Sequence, residues 1–268
     1  MFDLNKVEAG IAGTQFSGQI MHSPSVGSTN ALALEAAQAG AQSGVYVADE
    51  QTAGRGRVGH TWHSAAGAGL YVSALVTPPI PMTMAMWVPL ATGLATQAAI
   101  HEVTGLSVDI RWPNDLLLNR KKCGGILVES ASTANTIAGS PMLRYAVIGV
   151  GINLNHATFP PEIEPLATSL CKESGATVSR DDLLISLLRS LDEEVHLLIR
   201  QYRGVHNGPG LLERFAASST WVKGKRVHVD EDGGYTGMTD GLDSRGFLRI
   251  RSDDGATRTV LSGGVREI

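Results

Sequence analysis

The chain has 268 residues, 43% of them hydrophobic, enough to bury a core in one large domain or a large domain with a small appendage. Its formal net charge of −4 argues against a general nucleic-acid binder, which would carry a basic surplus. Two distant cysteines, Cys123 and Cys171, form no paired metal or redox spacing, and no basic start followed by an apolar run marks a secretory leader; a reduced, cytoplasmic protein is expected.

In chain order, Ser28, Thr29 and Asn30 precede an alanine- and leucine-rich run that ends at Gly40, which predicts a helix whose start is marked by hydroxyls. Residues 45–48 predict a short strand and residues 70–76 another. Residues 58–101 carry no Lys, Arg, Asp or Glu. The uncharged stretch 81–100 is about the ~20 residues a bilayer needs, but Pro89, Gly93 and several polar residues interrupt it, and a core helix ending near Gly105 is expected. Residues 108–118 and 123–129 read as two strands joined by residues 119–122. Residues 145–154 predict a strand with glycines where a ligand or another backbone approaches closely. Ser179 caps a long helix, with Asp182 three positions on and a stripe of Leu184, Leu187, Leu188, Leu191, Val195, Leu198 and Tyr202. From about residue 218 onward the texture changes to short alternating strands at 225–230, 235–239, 247–251 and 257–261, which predicts a small barrel-like β domain.

The stretch at 50–64, EQTAGRGRVGHTWHS, spells a dinucleotide fingerprint with Gly54, Gly56 and Gly59. That fingerprint needs a helix opening at the glycines and an acidic residue about 20 positions on. Here more small residues follow, and Pro78 and Pro79 stand where the acid should be. A glycine loop carrying two guanidiniums, Arg55 and Arg57, suits phosphate oxygens in another way. The pair His60 and His63 lacks a further ligand in spacing, so no metal site is expected.

Four stretches in order, Ser28-Thr29-Asn30, Gly54-Arg55-Gly56-Arg57, Arg111-Trp112-Pro113-Asn114-Asp115 with Lys122 beyond it, and Gly149-Val150-Gly151-Ile152-Asn153, resemble the biotin–protein ligases over nearly the whole chain. The resemblance implies an α+β fold: a mixed sheet flanked by helices, related to class II aminoacyl-tRNA synthetases, over residues 1–218, and a small C-terminal SH3-like β barrel over 219–268. It implies a two-step, Mg²⁺- and ATP-dependent reaction: biotin and ATP give biotinyl-5′-adenylate and pyrophosphate, then a lysine of the biotin carboxyl carrier domain of an acyl-CoA carboxylase displaces AMP.

The same resemblance implies roles. Lys122, Arg57 and Asp115 would be catalytic. Biotin would meet Ser28, Thr29, Gln51, Gly54, Arg55, Arg57, Trp62, Lys122, Gly125 and Gly151. ATP and the adenylate would meet Arg55, Arg57, Asn114, Lys122, Gly149 and Asn153. Asp115 would orient the incoming amine in the second step, with acceptance of its proton left open as a further role. The glycine–arginine loop would be a lid over the adenylate. Three positions depart from the family pattern: Arg111 replaces a lysine, and Val58 and His60 replace arginines, which implies weaker attraction for phosphate. Only 27 residues precede Ser28, so an enzyme-only form without a DNA-binding repressor domain is expected, and no membrane association. A lipoate or octanoyl ligase and a non-enzymatic biotin sensor are the competing readings.

Overall fold

Residues 69–76 and 145–153 fix the architecture, because both strands are apolar on one face and small or polar on parts of the other. The computed structural model describes residues 2–137, 139–262 and 264–268, and among these lie two sheets and six α-helices. The first sheet is built from β1 (Ile20–Val26), β2 (Gly44–Gln51), β3 (Gly69–Val76), β4 (Asp109–Arg111), β5 (Asp115–Leu118), β6 (Lys121–Ile137) and β7 (Ser140–Asn153), in the order β1-β2-β3-β7-β6-β5-β4. Only the β1–β2 pair is parallel; the other neighbours are antiparallel, so the sheet is mixed. A parallel neighbour needs a crossover, and α2 (Thr29–Gln38) supplies it.

Ala146, Ile148, Val150 and Ile152 of β7, with Val72, Ala74 and Val76 of β3, face the main core. Against them pack α3 (Trp87–Thr104) and α5 (Arg180–Tyr202). The opposite face is covered by α2 at one end, where Ala33, Ala37, Tyr46, Leu75, Tyr145 and Val147 form a second cluster. Gly149 and Gly151 leave the other end open to the loops. From Trp87 to His101 the helix α3 carries no Lys, Arg, Asp or Glu because it is buried on several sides; Glu102, in its last turn, accepts from the Ser186 hydroxyl. Its hydroxyls bond backward, Thr92 Oγ1 to Val88 O and Thr96 Oγ1 to Thr92 O, and Gln97 donates to Val108 O, so the interruptions in the apolar run are satisfied internally. Gly105 ends it at φ 70. Among the described residues no helix is long and apolar enough to cross a membrane. The α5 stripe is buried as expected up to Leu198, but Tyr202, at its last turn, is 38% exposed. Sequence reading did not anticipate the small elements α1 (Leu4–Gly10), α4 (Leu170–Ser174) and α6 (Leu211–Ser218), nor the edge strand β1.

Three expectations need correction. Residues 108–118 are not one strand: the ladder stops at Trp112, followed by a cis peptide bond to Pro113, and returns as β5. Proline lacks the amide a central ladder requires, so the chain folds back and pairs Arg111 with Asp115. The following connection is only Asn119 and Arg120, both at positive φ (47 and 67), a two-residue hairpin turn. Lys121 and Lys122 therefore lie on β6, not in the turn. The hydroxyl cap of α2 also differs: Ser28 holds the N-cap position but its side chain caps nothing, and Gln51 Oε1 accepts the Thr29 amide instead (2.9 Å).

Beyond α6 the chain forms a five-stranded antiparallel sheet from β8 (Lys223–Val229), β9 (Tyr235–Leu242), β10 (Leu248–Ser252), β11 (Thr257–Val260) and β12 (Val265–Glu267), in the order β11-β10-β9-β8-β12. It is tied to the β4–β5 end of the first sheet. Trp112 Nε1 donates to Gly246 O (3.0 Å), Ser219 Oγ to Ile110 O (2.6 Å), and Thr220 bonds Asp109 through both its amide and hydroxyl. Replacing Trp112 by Phe removes the buried indole donor and strands the Gly246 carbonyl. The expected cost is about 1 kcal/mol, or a fall in Tm of roughly 2–4 °C for a chain this size, with an unchanged far-ultraviolet circular dichroism spectrum.

Candidate active site

The hairpin at Pro113 gathers charge. Asp115 stands at the start of β5, 13% exposed, with Lys122 Nζ 2.5 Å from Oδ1 and the Arg111 guanidinium on Oδ2. A break in register between β5 and β6 at Leu116 and Leu117 accompanies Lys122's turn toward the same side. Burial by itself would raise the Asp115 carboxyl; the attraction of Lys122 and Arg111 outweighs it and holds the group below the usual carboxylate range. Asp115 is thus a firmly ionised hub shared by two cations.

Residues 54–62 form a small ordered hairpin. The Gly56 amide donates to His60 O (2.7 Å), Trp62 N to Gly54 O (2.9 Å), and Arg55 bridges Thr61. Gly54 permits this fold because a Cβ there would sit 2.5 Å from Trp62 O. At the tip Val58 has φ 52 and is 85% exposed. Arg55 points toward Glu129 (3.8 Å) and is half exposed. Arg57 folds inward: Nη1 donates to Asn114 Oδ1 (3.2 Å) and Nη2 to Ser262 O (2.5 Å). Both acceptors are neutral. Among the described residues, Arg57 is the one half-buried arginine with no carboxylate within 4 Å; Arg111, Arg180, Arg214 and Arg258 each have one. Burial depresses its guanidinium, against the pull of Asp115 and Glu231. A half-buried cation left without an ion-pair partner is a standing site for an anion.

Beside the cations lies a floor without side chains. A Cβ on Gly125 would meet Trp62 and Lys122 at 3.1 and 3.3 Å, one on Gly151 would meet the Trp62 indole at 2.5 Å, and one on Gly149 would meet Asn30 Oδ1 at 2.1 Å. Trp62 lies across this floor, 5.5 Å from Lys122 Nζ, and its buried indole N–H has no hydrogen-bond partner among the described residues. At the far end is a polar network. Gln51 Oε1 accepts from the Thr29 amide and hydroxyl, Gln51 Nε2 donates to Ser64, Ser73 Oγ contacts Thr29 Oγ1 (2.8 Å) and Asn30 Oδ1 (2.5 Å), and Asn30 Nδ2 donates to Glu129 (2.9 Å).

The structure therefore brings together Thr29, Gln51, Gly125, Gly149 and Gly151 with Trp62, and Lys122, Asp115 and Asn114 with Arg57. It groups Gly149 with the Asn30 network rather than with Asn114 and Arg57. Asn153, on the same face of β7 as Gly149 and Gly151, donates its amide to Lys122 O (3.4 Å) and Thr168 O (3.1 Å), tethering the strand that bears Lys122. Asn114 is itself fixed by Nδ2 to Ile126 O (3.0 Å). Ser28 is buried at the helix cap. Asn30, Ser64, Ser73 and Glu129 were not assigned from sequence, although a lone hydroxyl inside the apolar run of β3 was a readable signal. A cleft of about 470 Å³ opens beside Arg57 and Asn114, toward Met86, Val128, Arg245 and Phe247. Among the described residues no three His, Cys, Asp or Glu side chains converge as a metal cage.

Fold and site define an α+β protein that sets a half-buried cation without a carboxylate partner and a lysine beside a glycine floor, an arrangement suited to an anion next to a small organic ligand. The comparisons give the family. Residues 22–153 match the biotin/lipoate A/B protein ligase family, and residues 223–265 match the biotin protein ligase C terminal domain. The biotin–[acetyl-CoA-carboxylase] ligase of Mycobacterium tuberculosis is 35% identical over 246 residues, 89% of this chain and 84% of that protein. The bifunctional ligase/repressor BirA of Bacillus subtilis is 32% identical over 249 residues, 90% of this chain and 72% of that protein. The biotin protein ligase from Aquifex aeolicus in complex with biotin and ATP superposes with a TM-score of 0.73 at 26% identity, covering 94% of this chain and 100% of that one. The chain belongs to the biotin/lipoate A/B protein ligase family.

The depressed Asp115 carboxyl has a direct consequence. Its ion pairs contribute stability in full above the unfolded carboxylate value of about 4, and that contribution is lost as pH falls through the lower folded value. Asp115→Ala leaves Lys122 and Arg111 unpaired and is expected to cost about 3–5 kcal/mol at neutral pH. In urea titrations across pH the gap between parent and variant should shrink only in acid below the ordinary carboxylate range.

Proposed function

We propose that this chain is a biotin–protein ligase. It joins biotin to ATP as biotinyl-5′-adenylate and then passes the biotinyl group to a lysine on a biotin carboxyl carrier domain of an acyl-CoA carboxylase, in the cytoplasm. The observation that carries the reading is the pairing of an uncompensated Arg57 with the Lys122–Asp115–Arg111 cluster, in a chain whose relatives are named biotin ligases.

In the first step a biotin carboxylate oxygen bonds to the α-phosphorus of ATP while the bond to the β-phosphate bridging oxygen breaks and pyrophosphate leaves. Two anions must meet, and positive charge must be in place before they do. Arg57 supplies a guanidinium with no carboxylate to displace. Lys122, released from Asp115 as an anion arrives, bridges biotin carboxylate and phosphate. The ureido end of biotin fits the Thr29–Gln51 network, extended by Asn30 and Ser73, and its apolar rings and chain lie on the glycine floor under Trp62. Arg55 and Gly54 contribute loop backbone. Magnesium enters as part of the substrate, on the phosphates of ATP, since such an ion is held chiefly by phosphate oxygens and water.

In the second step the neutral acceptor amine attacks the acyl carbon, the bond to the phosphate oxygen breaks to release AMP, and the proton lost from nitrogen leaves with the departing phosphate or to water. Asp115 accepts a hydrogen bond from the amine and orients it; held ionised by two cations it is a weak base, so we assign it orientation rather than proton acceptance. Residues 54–62 act as the lid that shields the adenylate from water. Residues 1–218 form the catalytic part, with the synthetase-like sheet, and 219–268 an SH3-like barrel that braces it. The relatives named for biotin, and the match of residues 223–265 to a biotin protein ligase domain, favour biotin over lipoate.

ATP–pyrophosphate exchange tests the reading. Exchange is expected with biotin and not with lipoate, and Lys122→Ala should lower it on the order of 10²–10³-fold; exchange at the parental rate in that variant removes Lys122 from the chemistry. Gly151→Ala should displace the Trp62 indole and raise the Kd for biotin by at least about tenfold, read by titration calorimetry, with an unchanged fold. Arg57→Gly is expected to release adenylate and label unrelated lysines; labelling confined to the carrier domain would count against the lid.

A further inference from the structure

The residue that decides where Arg57 points lies 174 positions away along the chain from it, on the second sheet. Among the described residues Arg57 has two side-chain bonds, one to Asn114 and one to the Ser262 carbonyl. Ser262 belongs to the connection between β11 and β12, an exposed segment whose neighbour Leu261 is 56% exposed. A carbonyl on such a segment aims a guanidinium only if its own backbone is held. Glu231, in the connection between β8 and β9, holds it. Its carboxylate accepts from the Leu261 amide at 3.1 Å on both oxygens, from the Ser262 amide at 2.6 Å and from the Ser262 hydroxyl at 2.7 Å. Three donors on consecutive residues converge on one carboxylate, which fixes both position and orientation of the peptide that follows. The Asp230 amide bond to Gly264 O (3.1 Å) braces the same two connections.

We propose that Glu231 is a positioning residue for the ligation reaction, fixing the Ser262 carbonyl that holds Arg57 on the site; this rests on the function proposed above. The arrangement solves a particular problem. A carboxylate bonded to Arg57 would aim it but cancel its charge, as Asp115 does for Arg111. Set one peptide back, Glu231 gives aim through a neutral carbonyl and leaves the cation available to phosphate. It also remains near enough to attract the guanidinium and to offset part of its burial.

The test combines activity with a readout that needs none. In biotin-dependent ATP–pyrophosphate exchange, Glu231→Ala is expected to lower kcat/KM for ATP by about 10- to 10²-fold, the scale of a misplaced catalytic group. In an Arg57→Ala background the same substitution should add nothing, because the residue acts through Arg57. Glu231→Gln, which keeps an acceptor oxygen for Ser262, should recover most of the rate. Independent losses that multiply in the double variant, or equal losses in the Ala and Gln variants, overturn the proposal. Limited trypsin digestion reads the loop directly: cleavage after Arg55 and Arg57 should speed up about tenfold in Glu231→Ala, with global Tm lowered by only a few degrees. An unchanged cleavage rate overturns the proposal whether or not exchange is seen, whereas absence of exchange in the parent overturns the functional reading alone.

Discussion

Positive charge that its own protein does not cancel is the constraint on which this site turns. A fold can bury a guanidinium cheaply by giving it a carboxylate, and this chain does so at Arg111, Arg180, Arg214 and Arg258. Arg57 is treated differently. It is half-buried, its charge is penalised by that burial, and its bonds go to an amide oxygen and a backbone carbonyl. Neutral acceptors restrain the side chain without supplying the counter-charge, so the electrostatic demand is left for a ligand to meet. Lys122 represents the complementary solution. Its pairing with Asp115 keeps it in place, and the second cation on the same carboxylate would lower what is lost in the proposed turn of Lys122 to a substrate anion.

Around these charges the sheet provides shape by omission. Gly125, Gly149 and Gly151 lie on adjacent antiparallel strands, Gly125 directly opposite Gly151. Side chains on the reverse face of the same strands, Ile126, Ile148 and Val150, pack into the main core. The pleat thus lets one pair of strands be a tight interior on one side and bare backbone on the other. Trp62 and Asn30 fill the space that Cβ atoms would have taken, so the floor is defined by two side chains rather than by a void.

Much of this was legible in the sequence, and the reasons are local. The helix after Ser28, the apolar core helix ending at Gly105, the Ser179-capped α5 and the glycine-bearing β7 all announce themselves through periodicity or end signals that neighbours reinforce. Long-range geometry was not legible. A run of apolar residues around Trp112 and Pro113 reads as one strand, and only the missing proline amide shows why it must fold back. Lys122 reads as part of a polar turn because the turn is two residues, not four, at positive φ. The Arg57–Ser262 bond joins residues 205 positions apart, and no local pattern marks a carbonyl as a guanidinium's partner. The roles of Asn30 and Ser73 likewise depend on which strand ends up beside which helix.

The second sheet, then, is more than a cap on the edge of the first. Trp112 donates to Gly246, the Ser219 and Thr220 hydroxyls bond to the backbone of Ile110 and the carboxylate of Asp109, and Trp221 lies between Arg111 and Lys225 at 5.4 Å from each. These contacts flank the very hairpin that creates the Asp115 cluster. A short two-strand hairpin at a sheet edge is marginal alone, so the second sheet stabilises the element that carries the charge hub while also presenting Ser262 to Arg57. Position of the cations on both sides of the site thereby depends on one interface. Loosening it would misplace Arg111 and Arg57 together, which ties the integrity of the small sheet to the electrostatics of the large one.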